Sequence, residues 1–339
     1  MLTVRCVSGL APWPKPPVLT CRPVTVLFCH GVVKAELMAW AGKETEQLFV
    51  YNGCCLRGAA PDTGIFMTES QLLLGKDTSY SDEYNPSVLF PIARAQGRSD
   101  FTPAAFTGYD LWRIYELTWL NPQGLPQCHM ATLKVNCQSP FIIESKSLKL
   151  YLGSFSQTVF ASENEVRDII VRDLNEILQT EVEVKILPLS ARAMPVMNFD
   201  HPLLEHEAGI EEMRFKNFEV TPDLLRLMDN GPRIAESLNT NIFRSRCPVT
   251  GQPDYASLEI SYVGKKIHHG SLLAYLISYR RHQGFHEQCV ERIFTDICNL
   301  LKPDELTVTA CFTRRGGIDI SPVRSNARVY DAPVRTSRQ

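Results

Sequence analysis

Cys247 and Asp254 are the pair whose types and spacing best suit covalent chemistry. They lie in Arg244-Ser-Arg-Cys-Pro-Val-Thr-Gly-Gln-Pro-Asp-Tyr255. Pro248, Gly251 and Pro253 exclude helix here and favour a tight reversal. Such a reversal returns Asp254 to the side of Cys247, although seven positions separate them. The chain then alternates as a strand, with Ala256, Leu258, Ile260 and Tyr262 on one face and Ser257, Glu259 and Ser261 on the other. A thiol and a carboxylate on a rigid loop at the mouth of a sheet suit nucleophilic catalysis. Arg244 and Arg246 favour the thiolate, the attacking form. The same residues also describe an ordinary buried free cysteine in a turn.

Two carboxylates sit where helices begin. His286-Glu287 opens one helix, where unpaired N–H groups and the helix dipole favour an anion. Glu144 begins another in the same way, with Ser145 as its expected N-cap. A carboxylate can accept paired N–H bonds from a guanine-like edge. Lys146 and Lys149, with Arg314 and Arg315 beside Gly316-Gly317, make two basic spots suited to phosphate. Each of these also reads as a plain helix cap, a solvated helix face or a strand-end turn. The start of H-E-x-x-H is present at His286-Glu287, but position 290 is Val, so a zinc-protease site fails. His201 and His206 with Glu205 and Glu207 lack a third ligand at suitable spacing and read as a polar loop. There is no G-x-G-x-x-G after a strand, so a dinucleotide would not be held by a doubly wound fold.

The elements that must position these residues repeat. Leu111–Leu120 and Cys128–Cys137 form a hairpin around Asn121-Pro-Gln-Gly124. A helix follows over 144–152, and a second starts at the capping box Ser162-Glu-Asn-Glu165. Glu181–Leu187 then alternates as a strand. The second half has the same grammar: strand 256–263, helix 271–281, a second helix from Phe285, and a strand through Leu306, Val308, Ala310 and Phe312. This predicts an α+β protein with antiparallel sheets and paired helices on one face. The expected division is an extension at 1–66, a first module with its N-terminal arm at 67–190, a connection at 191–240, a second module at 241–326 and a disordered basic tail at 327–339.

Composition bounds the class. The chain has 339 residues, 44% hydrophobic and 21% charged, which fits a soluble globular protein of about two domains. A net charge of −2 argues against coating nucleic acid. Eleven cysteines without C-x-x-C spacing in the last six fit a reducing, cytoplasmic compartment and not a disulfide framework or zinc ribbon. No apolar run reaches the ~18 residues of a membrane span. Residues 1–66 hold Pro clusters and five of the cysteines. Their apolar patch at 24–33 imitates a signal peptide weakly, and His30, Lys34 and Glu36 interrupt it. The expectation is that this segment lies outside the folded enzyme and that Met67 is the natural start.

Four stretches in order carry a resemblance: Glu144-Ser-Lys-Ser-Leu-Lys-Leu-Tyr151, Cys247-Pro-Val-Thr-Gly-Gln-Pro-Asp254, Phe285-His-Glu-Gln-Cys-Val-Glu-Arg292 and Thr313-Arg-Arg-Gly-Gly317. Together they resemble the long form of the 7-cyano-7-deazaguanine reductases, the nitrile reductases of queuosine synthesis, over about Met67 to Asn326. The resemblance implies tandem tunnelling-fold modules, a homodimer with sites at interfaces, NADPH as cofactor and no metal. It implies that Cys247 attacks the nitrile to give a thioimide and that Asp254 is the general acid. It implies a base pocket of Ile143, Glu144, Ser145, His286 and Glu287, with Ser145, Lys146, Arg315 and Gly316 meeting NADPH. Two other classes use the same residues: a cysteine-dependent nitrile or amide hydrolase, and a non-catalytic purine- or pterin-binding module. The basic Arg-Arg-Gly-Gly corner favours the reductase over the first, and the intact Cys247 and Asp254 favour it over the second.

Overall fold

In this computed structural model, described residues comprise strand segments within 25–55, then 80–190, 192–327 and 335–339. The chain divides into two units, 1–66 and 67–339. The first contains four short antiparallel strands, β1 (Thr25–Cys29), β2 (Val32–Glu36), β3 (Gln47–Tyr51) and β4 (Cys54–Cys55). The expectation for 1–66 otherwise falls outside the described residues.

The second unit is built on one seven-stranded antiparallel sheet. Its first half holds β6 (Thr107–Leu120), β7 (Pro126–Asn136), a short β8 (Phe141–Ile143), α2 (Ser145–Gly153), α3 (Glu163–Leu178) and β9 (Val182–Leu187). Its second half holds β10 (Arg233–Arg246), β11 (Pro253–Lys265), α4 (His269–Ser278), α5 (His286–Leu301), β12 (Glu305–Phe312) and β13 (Ile318–Ser325). Hairpin, two helices, strand thus occurs twice, as the sequence pattern predicts, and the α+β expectation holds. Strand β10 begins inside the stretch read as connection. Pro232 precedes it, and its mixed polar and apolar residues hide the strand period.

The sheet order is β10-β11-β12-β13-β6-β7-β9, so β13 pairing with β6 fuses the two halves. Each half carries a bulge at a matching place, between Ile114 and Leu117 in β6 and between Thr240 and Phe243 in β10. An extra residue there bends the long strand and changes its twist. Two apolar cores lie under the two helix pairs. One gathers Trp112, Leu117, Leu133, Tyr151, Phe155 and Leu174, the other Phe243, Leu258, Tyr275, Phe294, Val308 and Phe312. The alternation predicted for β11 is observed, with Ala256, Leu258, Ile260 and Tyr262 all buried.

An N-terminal arm crosses the first half. It contains β5 (Pro91–Ala93), which pairs with β8, and a single helical turn, α1 (Arg94–Gly97). The arm is tied down because Phe90 O accepts from Glu144 N–H at 2.9 Å and Ser147 Oγ accepts from Phe90 N–H at 3.1 Å. The far end of the chain differs from its expected disorder. Thr336 and Gln339 are buried, and the Gln339 amide donates to Phe312 O, Asp319 Oδ1 and Ser321 Oγ. Residues 335–339 are held here because Gln339 finds acceptors on β12 and β13, and the rest of the expected tail lies outside the described residues. No described helix is long and apolar enough to cross a membrane.

Candidate active site

The β10–β11 reversal forms as its prolines and glycine require. Cys247 N–H donates to Gln252 O at 2.8 Å and Gly251 N–H donates to Cys247 O at 3.0 Å. Across the strands Ser245 faces Asp254 and Arg246 faces Pro253, which sets Asp254 just below the turn that carries Cys247. The same strand end is pinned to the approach to α5: Arg246 N–H donates to His282 O, and Gly284 N–H donates to Arg246 O. Those bonds fix the thiol relative to His286 and Glu287, the first residues of α5. Cys247 and Asp254 are each 4% exposed.

The β12–β13 turn supplies a cation. Arg315 and Ile318 exchange backbone hydrogen bonds, and Gly316 and Gly317 between them have φ of 58° and 81°. That left-handed pair is a glycine conformation and makes the tightest strand reversal. It presents Arg315, whose Nη1 lies 2.7 Å from Asp254 Oδ1. Asp254 Oδ2 lies 3.4 Å from His286 Nε2. The His286 ring stacks on Phe312 with centroids 3.9 Å apart and planes 11° from parallel. Asp254 therefore stands between a guanidinium and an imidazole.

Asp254, His286 and Arg315 line one narrow recess with about 20 Å³ of free interior. Ile143, Ser145, Cys247, Asp254, His286, Glu287 and Arg315 all face it, and Trp112, Phe285 and Ile320 add apolar wall. His286 Nδ1 and Glu287 Oε1 are buried there without a hydrogen-bond partner in the protein. Two such atoms beside a stacked ring fit a flat polar ligand with donors and acceptors on its edge. Burial pushes the Glu287 carboxyl up to about 8, the Asp110 charge adds to this, and Arg94 and Arg324 oppose it. Among the described cysteines only Cys247 lines the recess. Burial pushes the Cys289 and Cys311 thiols up to about 12.

Other predicted residues are placed differently. Glu144, not Ser145, is the N-cap of α2: its carboxylate accepts from Lys146 N–H at 2.9 Å and Ser147 N–H at 2.7 Å. The longer side chain reaches because Glu144 is fully buried and folds back over its own helix start. Burial raises its pKa, while the two N–H groups and the charges of Lys146 and Arg315 pull it down. Glu144, Lys146 and Gly316 do not line the recess. Arg244 donates to Arg280 O at 3.0 Å, and neither it nor Arg246 lines the recess. Arg315 does, with its Nη1 2.7 Å from Asp254 Oδ1. Trp112 was legible only as core, since aromatics in a strand give no sign of lining a ligand site.

The Gly316 turn brings cations together beside the recess. A Cβ built on Gly316 would fall 3.0 Å from Lys149 Cδ and 3.2 Å from its Nζ, so the lysine lies flat against this bare backbone. Lys149 on α2 and Arg315 in the β12–β13 turn bring two cations to one corner, a suitable place for phosphates.

The chain is similar to several known proteins. Residues 80–186 match the family model described as nitrile reductase, 7-cyano-7-deazaguanine-reductase N-term, and residues 253–330 match the model described as QueF-like protein. A Burkholderia thailandensis protein named NADPH-dependent 7-cyano-7-deazaguanine reductase is 45% identical over 274 residues, covering 78% of this chain and 97% of that protein. A Burkholderia pseudomallei protein of the same name is 44% identical with the same coverage. The crystal structure of the archaeosine synthase QueF-Like in the apo form aligns with 30% of this chain and 99% of its own at 19% identity and a TM-score of 0.27. On the strength of its curated relatives, the chain belongs to the family of NADPH-dependent 7-cyano-7-deazaguanine reductases.

Proposed function

We propose that this protein reduces the nitrile of 7-cyano-7-deazaguanine to the primary amine of 7-aminomethyl-7-deazaguanine, for queuosine synthesis in tRNA, through a thioimide on Cys247. The observation that carries the reading is the shared recess of Cys247, Asp254, His286, Glu287 and Arg315. A nitrile carbon is electrophilic but slow to react. The Cys247 thiolate adds to it, a C–S bond forms, and the nitrogen that gains the electron pair takes a proton from Asp254. His286, 3.4 Å from Asp254, can return that proton or pass on another. Glu287 accepts from the donor edge of the base. The stacked His286–Phe312 pair and the apolar wall exclude the water that would hydrolyse an imine.

Ser145, Lys146, Lys149, Arg315 and Gly316 are the residues that would hold NADPH. When bound, NADPH supplies hydride, twice per nitrile, which accounts for the four electrons between nitrile and amine. Cys247 is also the leaving group that frees the half-reduced carbon. A reducing cytoplasm keeps that thiol available. The sheet ends in two outer strands, β10 and β9, and pairing with a second copy would close both, which supports a homodimer. The test is to mix the protein with 7-cyano-7-deazaguanine and NADPH and follow cofactor absorbance. Two NADPH consumed per amine formed supports the reading. Binding of the base without oxidation contradicts it.

A further inference from the structure

The N-terminal arm is clamped by charge to the helix that bears His286 and Glu287. Its single turn, α1, and the residue after it supply two arginines. Arg98 Nε lies 2.7 Å from Glu291 Oε2 and its Nη2 3.0 Å from Oε1, while Arg94 Nη1 lies 3.3 Å from Oε1. Arg324 of β13 adds a third guanidinium, with Nη2 2.9 Å from Glu291. Arg94 and Arg324 also grip Asp110 of β6, at 2.5 and 2.8 Å. Glu291, Asp110, Arg94 and Arg324 are buried. A buried cluster of this kind tolerates little displacement, because moving one partner strands the charge of another. The backbone is tied as well, since Arg94 N–H donates to Pro140 O at 3.0 Å.

The clamped turn presses on Gln288, the residue after Glu287. A Cβ built on Gly97 would fall 1.9 Å from Gln288 Nε2, 2.0 Å from its Cδ and 2.4 Å from its Cγ. The Gln288 side chain therefore fills the space that a side chain at position 97 would need. The oxygen of the same amide is also engaged, for Gln288 Oε1 accepts from Phe285 N–H at 3.2 Å. Phe285 is the N-cap of α5 and has no side-chain oxygen, so Gln288 makes the one half of a capping box available here. That bond brackets Phe285, His286 and Glu287, which all line the recess, whereas Gln288 does not. The chain just before them is held by the backbone bonds of Arg246 to His282 and Gly284.

We propose that Gln288 is a positioning residue for base recognition. Its amide, confined against the bare backbone of Gly97, fixes the entry into α5 and with it the His286 and Glu287 side chains that face the base. This rests on the reading of the recess as the base site. Two features separate the role from general stability. Gly97 is helical and not left-handed, so Ala there brings no backbone strain and would ordinarily favour the turn. A loss caused by Gly97→Ala must then come through the Gln288 amide. Gln288→Glu keeps an acceptor oxygen at the same reach, and Glu serves this cap as Gln does.

The test is calorimetric titration of the full-length protein with 7-cyano-7-deazaguanine in a Cys247→Ala background, where no adduct complicates binding, beside the KM for NADPH with Cys247 intact. Gln288→Ala weakens base binding by about tenfold, the scale of one lost hydrogen bond, and leaves the KM for NADPH nearly unchanged. Gln288→Glu restores most of the affinity. Gly97→Ala weakens the base about as much as Gln288→Ala, and adds nothing when combined with it, because the amide it strikes is gone. A merely structural role would give additive losses, or would weaken base and NADPH alike, and either result overturns the proposal. Unchanged base affinity in Gln288→Ala overturns it as well. Should Gly97→Ala fail to fold, the Gln288 variants decide: loss with rescue by Glu supports the proposal, and loss without rescue overturns it. If the parent Cys247→Ala protein does not bind the base, the reading of the recess fails and the proposal falls with it.

Discussion

Arg315 Nη1 stands 2.7 Å from Asp254 Oδ1, so a glycine turn between the last two strands holds the Asp254 carboxylate at the start of β11. The two belong to motifs sixty-one positions apart, and the pairing makes them one device. Arg315 both orients the Asp254 carboxylate and lines the recess.

Arg315→Ala is expected to lower kcat/KM for NADPH by about tenfold to a hundredfold, the usual range for losing a hydrogen bond to a charged group. Arg315→Lys should recover part of this, because the charge remains but the planar fork does not. Steady-state kinetics with NADPH varied gives the answer. Unchanged kcat/KM in the alanine variant contradicts the assignment.

Cys247→Ala should abolish NADPH oxidation while the base still binds within a few-fold of its wild-type affinity. In the proposed mechanism the thiol is needed for the bond and not for recognition. Calorimetric titration beside the turnover assay separates the two. Retained turnover removes Cys247 from the reaction.

Glu287 links recognition to stability with a definite sign. Its carboxyl is raised from an ordinary 4.5 to about 8 by burial. The folded protein therefore holds a proton that the unfolded chain has lost over that interval. The contribution is fully present below about pH 4.5 and lost as pH rises through about 8. Glu287→Gln should unfold at higher temperature than wild type at pH 9, by several degrees on the order of a few kcal/mol, with a smaller gap at pH 5. Base affinity should fall in the same variant. Equal melting temperatures at pH 9 contradict the buried, protonated carboxyl.

Glu144→Ala removes both acceptors at the α2 N-terminus. Loss of such a cap costs about 1 kcal/mol, more for a buried one. The melting temperature should fall, while base affinity falls less than in Glu287→Ala. A larger affinity loss in Glu144→Ala than in Glu287→Ala would make Glu144 a direct reader of the base.

Much of this was legible before any coordinates. The β11 alternation and the Ser162 capping box are local patterns, and both hold: Ser162 Oγ accepts from Glu165 N–H at 3.2 Å. The Cys247 turn follows from its prolines and glycine. The motif residues Ile143, Ser145, Cys247, Asp254, His286, Glu287 and Arg315 meet in one recess although they span both halves. What was hidden depends on tertiary neighbours. Arg244 sits beside Cys247 in sequence yet turns to the carbonyl of Arg280, whereas Arg315 is remote in sequence and close in space. The N-cap of α2 moved to Glu144 because its full burial leaves the carboxylate no better donors than its own helix. The cluster around Glu291 joins four elements, and no short window of sequence contains it.

The most direct measurement is mass spectrometry of protein incubated with 7-cyano-7-deazaguanine in the absence of NADPH, followed by proteolysis. The account predicts a mass gain of one intact cyano base on the peptide carrying Cys247, absent from the Cys247→Ala protein. No gain on that peptide, under conditions where the base is shown to bind, would contradict it.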